Sequence, residues 1–396
     1  MSENIVIVEA VRTPVGRYGG VLKNLNSGEL AALVIKETID RAGLSPELID
    51  EVILGEVRQT TESSNVARVA ALRAGVPDIS PAFTINRLCA SGMQAVASAV
   101  QQIQSKQAEI LVAGGTESLS HAPIYLRNSR FGGDKTKLVD SNLEAGQQPI
   151  ELYGNRLGMG ITAENVAEKY QISREEQDVF AAESQRRASV AINNSVFAEE
   201  IVPVEVTTRR QTNLINQDEH PRPGTTVEKL SSLNPVFKEG GTVTAGNSCG
   251  RNDGAVAMLV MTESKARELN LQPLARIIDW ATSGVSPEIM GVGPVPAVKK
   301  LLERTGKSLK DIGLIELNEA FASQALAVIR ELGLQMDKVN VNGGAIALGH
   351  PLGATGARIL TSLMYEMKRR DERFGIATLC VGGGQGMAMM VENMVN

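Results

Sequence analysis

Cys89, Cys249 and Cys380 are the only thiols in this 396-residue sequence, and His121, His220 and His350 are its only imidazoles. Cys89 lies in Asn86-Arg87-Leu88-Cys89-Ala90-Ser91-Gly92, between an apolar run, Ala82–Ile85, that reads as a strand and an Ala/Val-rich run with helical spacing. A thiol at a strand-to-helix junction meets free backbone N–H groups and the positive end of the helix dipole. Both lower its pKa and make it a nucleophile. Taken alone, such a cysteine is more often packed core. His350 stands in Gly349-His350-Pro351-Leu352-Gly353-Ala354-Thr355-Gly356, a loop-to-helix junction with Pro suited to the first turn. An imidazole with its ordinary pKa near 6.5 can take a thiol proton at neutral pH. Cys380-Val381-Gly382-Gly383-Gly384 puts a second thiol at a strand end, beside backbone N–H groups able to hold an oxyanion. Asn318, in Glu316-Leu317-Asn318-Glu319-Ala320-Phe321, could aim an amide at a carbonyl oxygen, directly or through a water. No CxxC or HxxxH pair occurs, so no metal site is expected.

The elements that must position these groups alternate. Ile5–Val8 reads as a strand, Ser27–Arg41 as an amphipathic helix capped by Ser27, and Glu51–Gly55 as a strand. Val66–Ala74 is expected to be helical, and Ile110–Gly115 to be a strand ending in glycines. This order predicts an α/β architecture with largely parallel strands. The pattern recurs: Gly43–Gly55 matches Gly306–Asn318, and Ile110–Gly115 resembles Thr378–Gly383. Two similar halves follow, 1–120 with 245–268 and 270–396, in which a duplication brings strand ends and helix starts to one crevice. Between them, 121–244 is polar and loop-rich, then helical from signals at Thr162 and at Ser173-Arg174-Glu175-Glu176, a capping box. An insertion of this length reads as a lid over the crevice.

The composition is that of an ordinary globular enzyme, 43% hydrophobic and 21% charged, and a net charge of −5 offers nothing to attract nucleic acid. No apolar run approaches the roughly 20 residues of a membrane span. The early strand after Met1-Ser2-Glu3-Asn4 leaves no room for a targeting peptide, and three dispersed cysteines point to a reducing compartment, so a cytoplasmic location is expected.

Taken together, Cys-Ala-Ser-Gly, Asn-Glu-Ala-Phe, Gly-His-Pro-Leu-Gly-Ala-Thr-Gly and Cys-Val-Gly-Gly-Gly-Gln-Gly, in that order, resemble the thiolase family. The resemblance extends to Glu9–Pro14 and Gly114–Ser118 and so spans nearly the whole chain. It implies a thiolase fold, with duplicated halves forming a five-layer αβαβα core and an inserted loop domain. It also implies coenzyme A-dependent acyl transfer, with coenzyme A as substrate and no permanently bound cofactor. By position, Cys89 resembles the acylated nucleophile, His350 its base and Cys380 the second acid/base that works on the α-carbon. Asn318 with its water, and His350, would hold the second thioester's oxygen; the N–H groups of Cys89 and Gly382 would hold that of the acyl-enzyme. Phe237, Phe321 and Met159 resemble pocket-lining residues, and Arg222 matches an arginine near the ADP end of the coenzyme. In Asn247-Ser248-Cys249-Gly250, where many members read Asn-Ala-Ser-Gly, either Ser248 or Cys249 would contact the pantetheine arm. Gly158 replaces a His common in members that favour acetoacetyl-CoA, which predicts room for longer acyl chains. The family forms dimers, commonly paired into tetramers. Two other readings remain: a decarboxylating ketoacyl synthase, against which a second cysteine argues, and a thiolase-like lipid- or CoA-binding protein without turnover.

Overall fold

The computed structural model describes residues 3–132, 136–144, 146–207 and 211–395. The first half contains β1 (Ile5–Arg12), α1 (Ser27–Arg41), β2 (Glu51–Gly55), α2 (Val66–Arg73), β3 (Ala82–Ile85), α3 (Ser91–Gln104) and β4 (Ile110–Ser118). A long excursion follows, with two short two-stranded ribbons and two principal helices, α4 (Met159–Lys169) and α5 (Arg174–Asn193). The chain then returns as β5 (Asn252–Thr262), which enters the sheet between β1 and β4. The second half supplies β6 (Ala275–Gly284), α6 (Pro294–Thr305), β7 (Leu314–Leu317), α7 (Ala322–Leu332), α8 (Leu352–Arg370), β8 (Phe374–Val381) and β9 (Gln385–Asn393).

The strands run in the order β7-β8-β9-β6-β1-β5-β4-β2-β3. Within the sheet, β1 and β6 link the two halves, Val6 facing Arg276 and Ile7 facing Ala275. Parallel pairing is confined to β2 with β3 and β4, and to β7 with β8. Every other junction on that path is antiparallel, so the expectation of a largely parallel sheet is corrected. Parallel neighbours need a crossover between them, and β9 has none. It turns back from β8 through Gly382, Gly383 and Gly384, the last two at φ +77° and +86°, which residues with a Cβ rarely adopt.

Five layers follow from the period of two along the strands. In β4, Ile110 and Val112 face outward onto α1 and α2, where Val34, Ile35, Val66 and Ala70 cover them. Leu111 and Ala113 face inward onto α3 and α8. Those two helices form the middle layer, with Met93, Val96, Leu360 and Leu363 packed against Ile53 and Met258 from one half and Leu379 and Met387 from the other. Helices α6 and α7 close the far side through Val298, Leu301, Ala325 and Val328 on Ile315, Ile376 and Met390. Strands buried on both faces read as continuous apolar runs, which is why β1, β4 and β5 lack a polar face.

Two helix starts differ from expectation. Asn26, not Ser27, caps α1: its side chain accepts from the Glu29 N–H, and the Glu29 carboxylate accepts from the Asn26 N–H. Helix α4 begins at Met159 behind Gly158, so Thr162 already lies in the first turn, its hydroxyl donating to Met159 O at 2.7 Å. The Ser173/Glu176 capping box forms as read. The excursion is fastened to the sheet by Arg12, whose guanidinium reaches Glu200 at 2.6 Å and Asp218 at 2.7 Å, with all three side chains buried. A paired buried arginine of this kind costs about 3–5 kcal/mol to break, because one charge would be left alone.

Candidate active site

Strand β3 hands over to α3 through a tight turn. Leu88 sits there at φ +46°, a conformation that costs a non-glycine residue about 1–3 kcal/mol. Asn86 Oδ1 accepts from the Leu88 N–H, and the Ser91 hydroxyl donates to Leu88 O while accepting from the Arg87 N–H. Cys89 is held between these bonds, with α3 starting two residues later. Across the middle layer, α8 starts just after His350. The starts of α3 and α8 touch without side chains between them. A Cβ on Gly92 would lie 2.8 Å from Gly353 O, and one on Gly356 would lie 2.7 Å from the Met93 nitrogen. The glycines of the two motifs therefore bring the segments carrying Cys89 and His350 together.

From the other half, the β8–β9 turn reaches the same place. The Gly382 N–H donates toward the Cys89 sulfur. Cys380, buried at the end of β8, lies near enough to Cys89 and Cys249 for their charges to act on it. Cys380 and Phe321 share a small apolar cluster with Met290 and Ala163, and Met159 and Cys249 pack against it. Asn318, at the end of β7, is tied to β8 by its N–H to Thr378 O at 3.0 Å. Its side-chain oxygen and nitrogen are both buried without a protein partner. A buried amide left open in this way is a costly arrangement unless a ligand or water completes it.

His350 is 3% exposed. Its N–H donates to Asn252 Oδ1 at 2.9 Å, its Nδ1 lies 2.7 Å from Thr355 Oγ1, and its Nε2 has no protein partner. Burial, helped by the positive charge of Arg358, lowers its pKa to about 3. Burial also raises Cys89 to about 11, against the opposing N–H of Gly382. The expected lowered thiol is thus corrected: desolvation outweighs the N–H groups and dipole of a helix that starts only beyond the cysteine. Cys89 nevertheless keeps some exposed surface. Cys380 is raised well above a free thiol, and Cys249 to about 12, by burial first and then by neighbouring thiolates. At neutral pH all three thiols and the imidazole are uncharged.

A recess of about 440 Å³ opens at Cys249. Phe237, Leu233 and Val236 give it an apolar side, and Arg222 and Lys229 a basic one beside His220, a combination suited to a long ligand with an anionic end. Phe237 meets Phe321 edge to face, with centroids 6.2 Å apart, in space that Gly160 leaves free. Arg222 is fixed through its N–H to Gln185 Oε1 at 2.8 Å, its side chain exposed. Ser248 and Cys249 both line the recess; the Ser248 hydroxyl donates to Thr244 O at 2.7 Å, and Cys249 retains exposed surface. Two supporting residues were not anticipated. Asn252, at the start of β5, holds the His350 backbone, and Glu117 Oε2 accepts from the Gly353 N–H at 2.8 Å. Both sit beside quoted motifs, but their partners are distant in sequence.

A family model described as "Thiolase, N-terminal domain" matches residues 5–264, and "Thiolase, C-terminal domain" matches residues 271–393. The chain belongs to the thiolase family. It is accordingly an enzyme of coenzyme A-dependent acyl transfer by Claisen condensation and thiolysis, with coenzyme A as substrate. Among relatives of this thiolase, the "Probable acetyl-CoA acyltransferase" of Staphylococcus epidermidis is 52% identical over 392 residues, which is 98% of each chain. The acetyl-CoA acetyltransferase of Bacillus anthracis superposes with a TM-score of 0.96 at 48% identity, covering 99% of each chain. Human mitochondrial 3-ketoacyl-CoA thiolase in complex with CoA superposes at 0.93 with 45% identity, covering 99% of this chain and 98% of that one. No helix among the described residues is long and apolar enough to cross a membrane.

Proposed function

We propose that this thiolase exchanges two acetyl-CoA for acetoacetyl-CoA and coenzyme A, and extends to longer 3-ketoacyl-CoA substrates. The relatives named for acetyl-CoA support the first part. Cys89 is the nucleophile, and His350 takes its proton as the thioester carbonyl is attacked. The Cys89 and Gly382 N–H groups receive the oxygen of the acyl-enzyme. Cys380 gives its proton to the departing coenzyme A thiolate and is left as a thiolate itself. It then removes a proton from the α-carbon of the second thioester, whose oxygen is held by Asn318, through a water, and by the protonated Nε2 of His350. A thiolate both attacks thioesters and leaves readily, so the acyl-enzyme is accessible from either side. The observation carrying this reading is the approach of Cys380 and the Gly382 N–H to Cys89 from the opposite half of the molecule. The recess between Cys249 and Arg222 takes the pantetheine arm and the ADP end, with Met159, Phe237 and Phe321 around the acyl group.

The chain-length reading rests on Gly158. A Cβ placed there would meet nothing within 4 Å, so this end of α4 has room. Steady-state thiolysis of a 3-ketoacyl-CoA series tests it. Turnover should persist from 3-ketobutanoyl-CoA to 3-ketohexanoyl-CoA, and Gly158→His should cut the six-carbon substrate by about tenfold relative to the four-carbon one. A collapse of the unaltered enzyme between those two lengths contradicts the reading. A homo-oligomer is supported by β3, an outermost strand of the sheet that is only half-buried, since a second copy can complete its open edge. The scarcity of cysteines supports a cytoplasmic location.

A further inference from the structure

The Thr355 hydroxyl has one hydrogen and two neighbours. It lies 2.8 Å from Pro351 O, one helical turn back, and 2.7 Å from His350 Nδ1. A threonine inside a helix commonly gives its hydroxyl hydrogen to the carbonyl four residues back, and with that hydrogen on Pro351 O the Thr355 oxygen is left to accept from the ring. The ring hydrogen then sits on Nδ1, and Nε2 keeps its lone pair. The rest of the surroundings agree. Nε2 is buried with no protein donor or acceptor, and the His350 backbone is pinned by Asn252 Oδ1 at 2.9 Å. Arg358, one turn beyond Thr355 on α8, is itself buried, with Nε and Nη1 unpartnered, and its charge opposes a second proton on the ring.

We propose that Thr355 is a positioning residue of the reaction, whose hydroxyl fixes the hydrogen of His350 on Nδ1 and so presents Nε2 as the acceptor for the nucleophile's proton. The inference rests on His350 being the base for Cys89. In serine hydrolases a carboxylate sets the tautomer and also stabilises the imidazolium. Here a neutral hydroxyl does the first without the second, so the ring is held ready to accept a proton but bears charge only while the acyl group is in transit.

Thr355→Val keeps the shape and removes the acceptor; Thr355→Ser keeps the acceptor. Single-turnover acylation by acetyl-CoA should fall about a hundredfold in the Val variant, with substrate affinity unchanged, and return to within about threefold in the Ser variant. With only three histidines in the chain, ¹⁵N-histidine spectra report the ring directly. One ring should show its hydrogen on Nδ1 in the unaltered and Ser proteins and lose that preference in the Val protein. If the hydroxyl serves only to cap α8, the Val variant melts earlier but its folded fraction acylates at the normal rate, which overturns the proposal. A His350 hydrogen found on Nε2 in the unaltered enzyme overturns it as well, and this readout survives even if the Val variant does not fold. His350→Ala run alongside separates the two claims. If it acylates normally, the base assignment falls and the proposal with it; if it is inactive while Thr355→Val is normal, the proposal alone falls.

Discussion

His350→Ala lowers acylation of Cys89 by about a hundredfold to ten-thousandfold at pH 7, the range that removing a positioned base covers. Burial keeps the Cys89 thiol protonated at that pH, so without a base little thiolate is available to attack. The pH profile separates the cause from a simple loss of structure. Burial depresses the His350 pKa to about 3 in the free enzyme, so the ring is neutral across the neutral range, and it gains basicity as negative charge develops beside it during attack. The unaltered enzyme should therefore show no acid limb near pH 6.5 in single-turnover acylation. The variant has a raised thiol pKa and no base, so its rate should climb about tenfold per pH unit towards 11. A flat profile in the variant would mean that some other group takes the proton.

Cys380→Ala separates the two half-reactions. Acylation of Cys89 by acetyl-CoA continues, because Cys380 is not its base. Condensation falls about a thousandfold, because removing a proton beside a thioester needs a base at that carbon. Exchange of the acetyl-CoA methyl hydrogens with deuterated water should vanish in parallel, and thiolysis should fail in the same proportion, as each direction passes through the same proton transfer. The burial of Cys380, 1% exposed, explains why a thiol suffices: excluding water strengthens the bonds from Asn318 and His350 to the enolate oxygen. Loss of acylation together with condensation would show instead that Cys380 shapes the nucleophile's own pocket.

The parts of this site legible in the sequence were those carried by glycine and by residue type at element junctions. Gly92 and Gly356 are needed where α3 and α8 touch, Gly353 where α8 begins against Thr116 O, and Gly383 and Gly384 where the chain reverses after Cys380. Those demands are local, so they left motifs. The pKa of Cys89 was not legible, because the helix dipole belongs to the chain around the cysteine whereas burial is set by whatever the fold packs around it. The strand directions were obscured for a similar reason: β5 pairs with β1 and β4 across a long excursion, and no helix-like spacing records that return. The sequence leaves Ser248 and Cys249 as alternatives for the pantetheine arm; only the fold shows Thr244 O accepting the Ser248 hydroxyl. Asn252 and Thr355 act through His350, and a residue that serves another leaves no signature of its own.

The most direct test is the intact mass of the enzyme after brief incubation with acetyl-CoA alone. One acetyl group per chain, found on the peptide containing Cys89 and absent from a Cys89→Ala variant, is the expected result. Acetylation that persists in that variant, or that is found on Cys249 or Cys380 in the unaltered enzyme, would mean that the acyl group is carried elsewhere and that the site is wrongly built around Cys89.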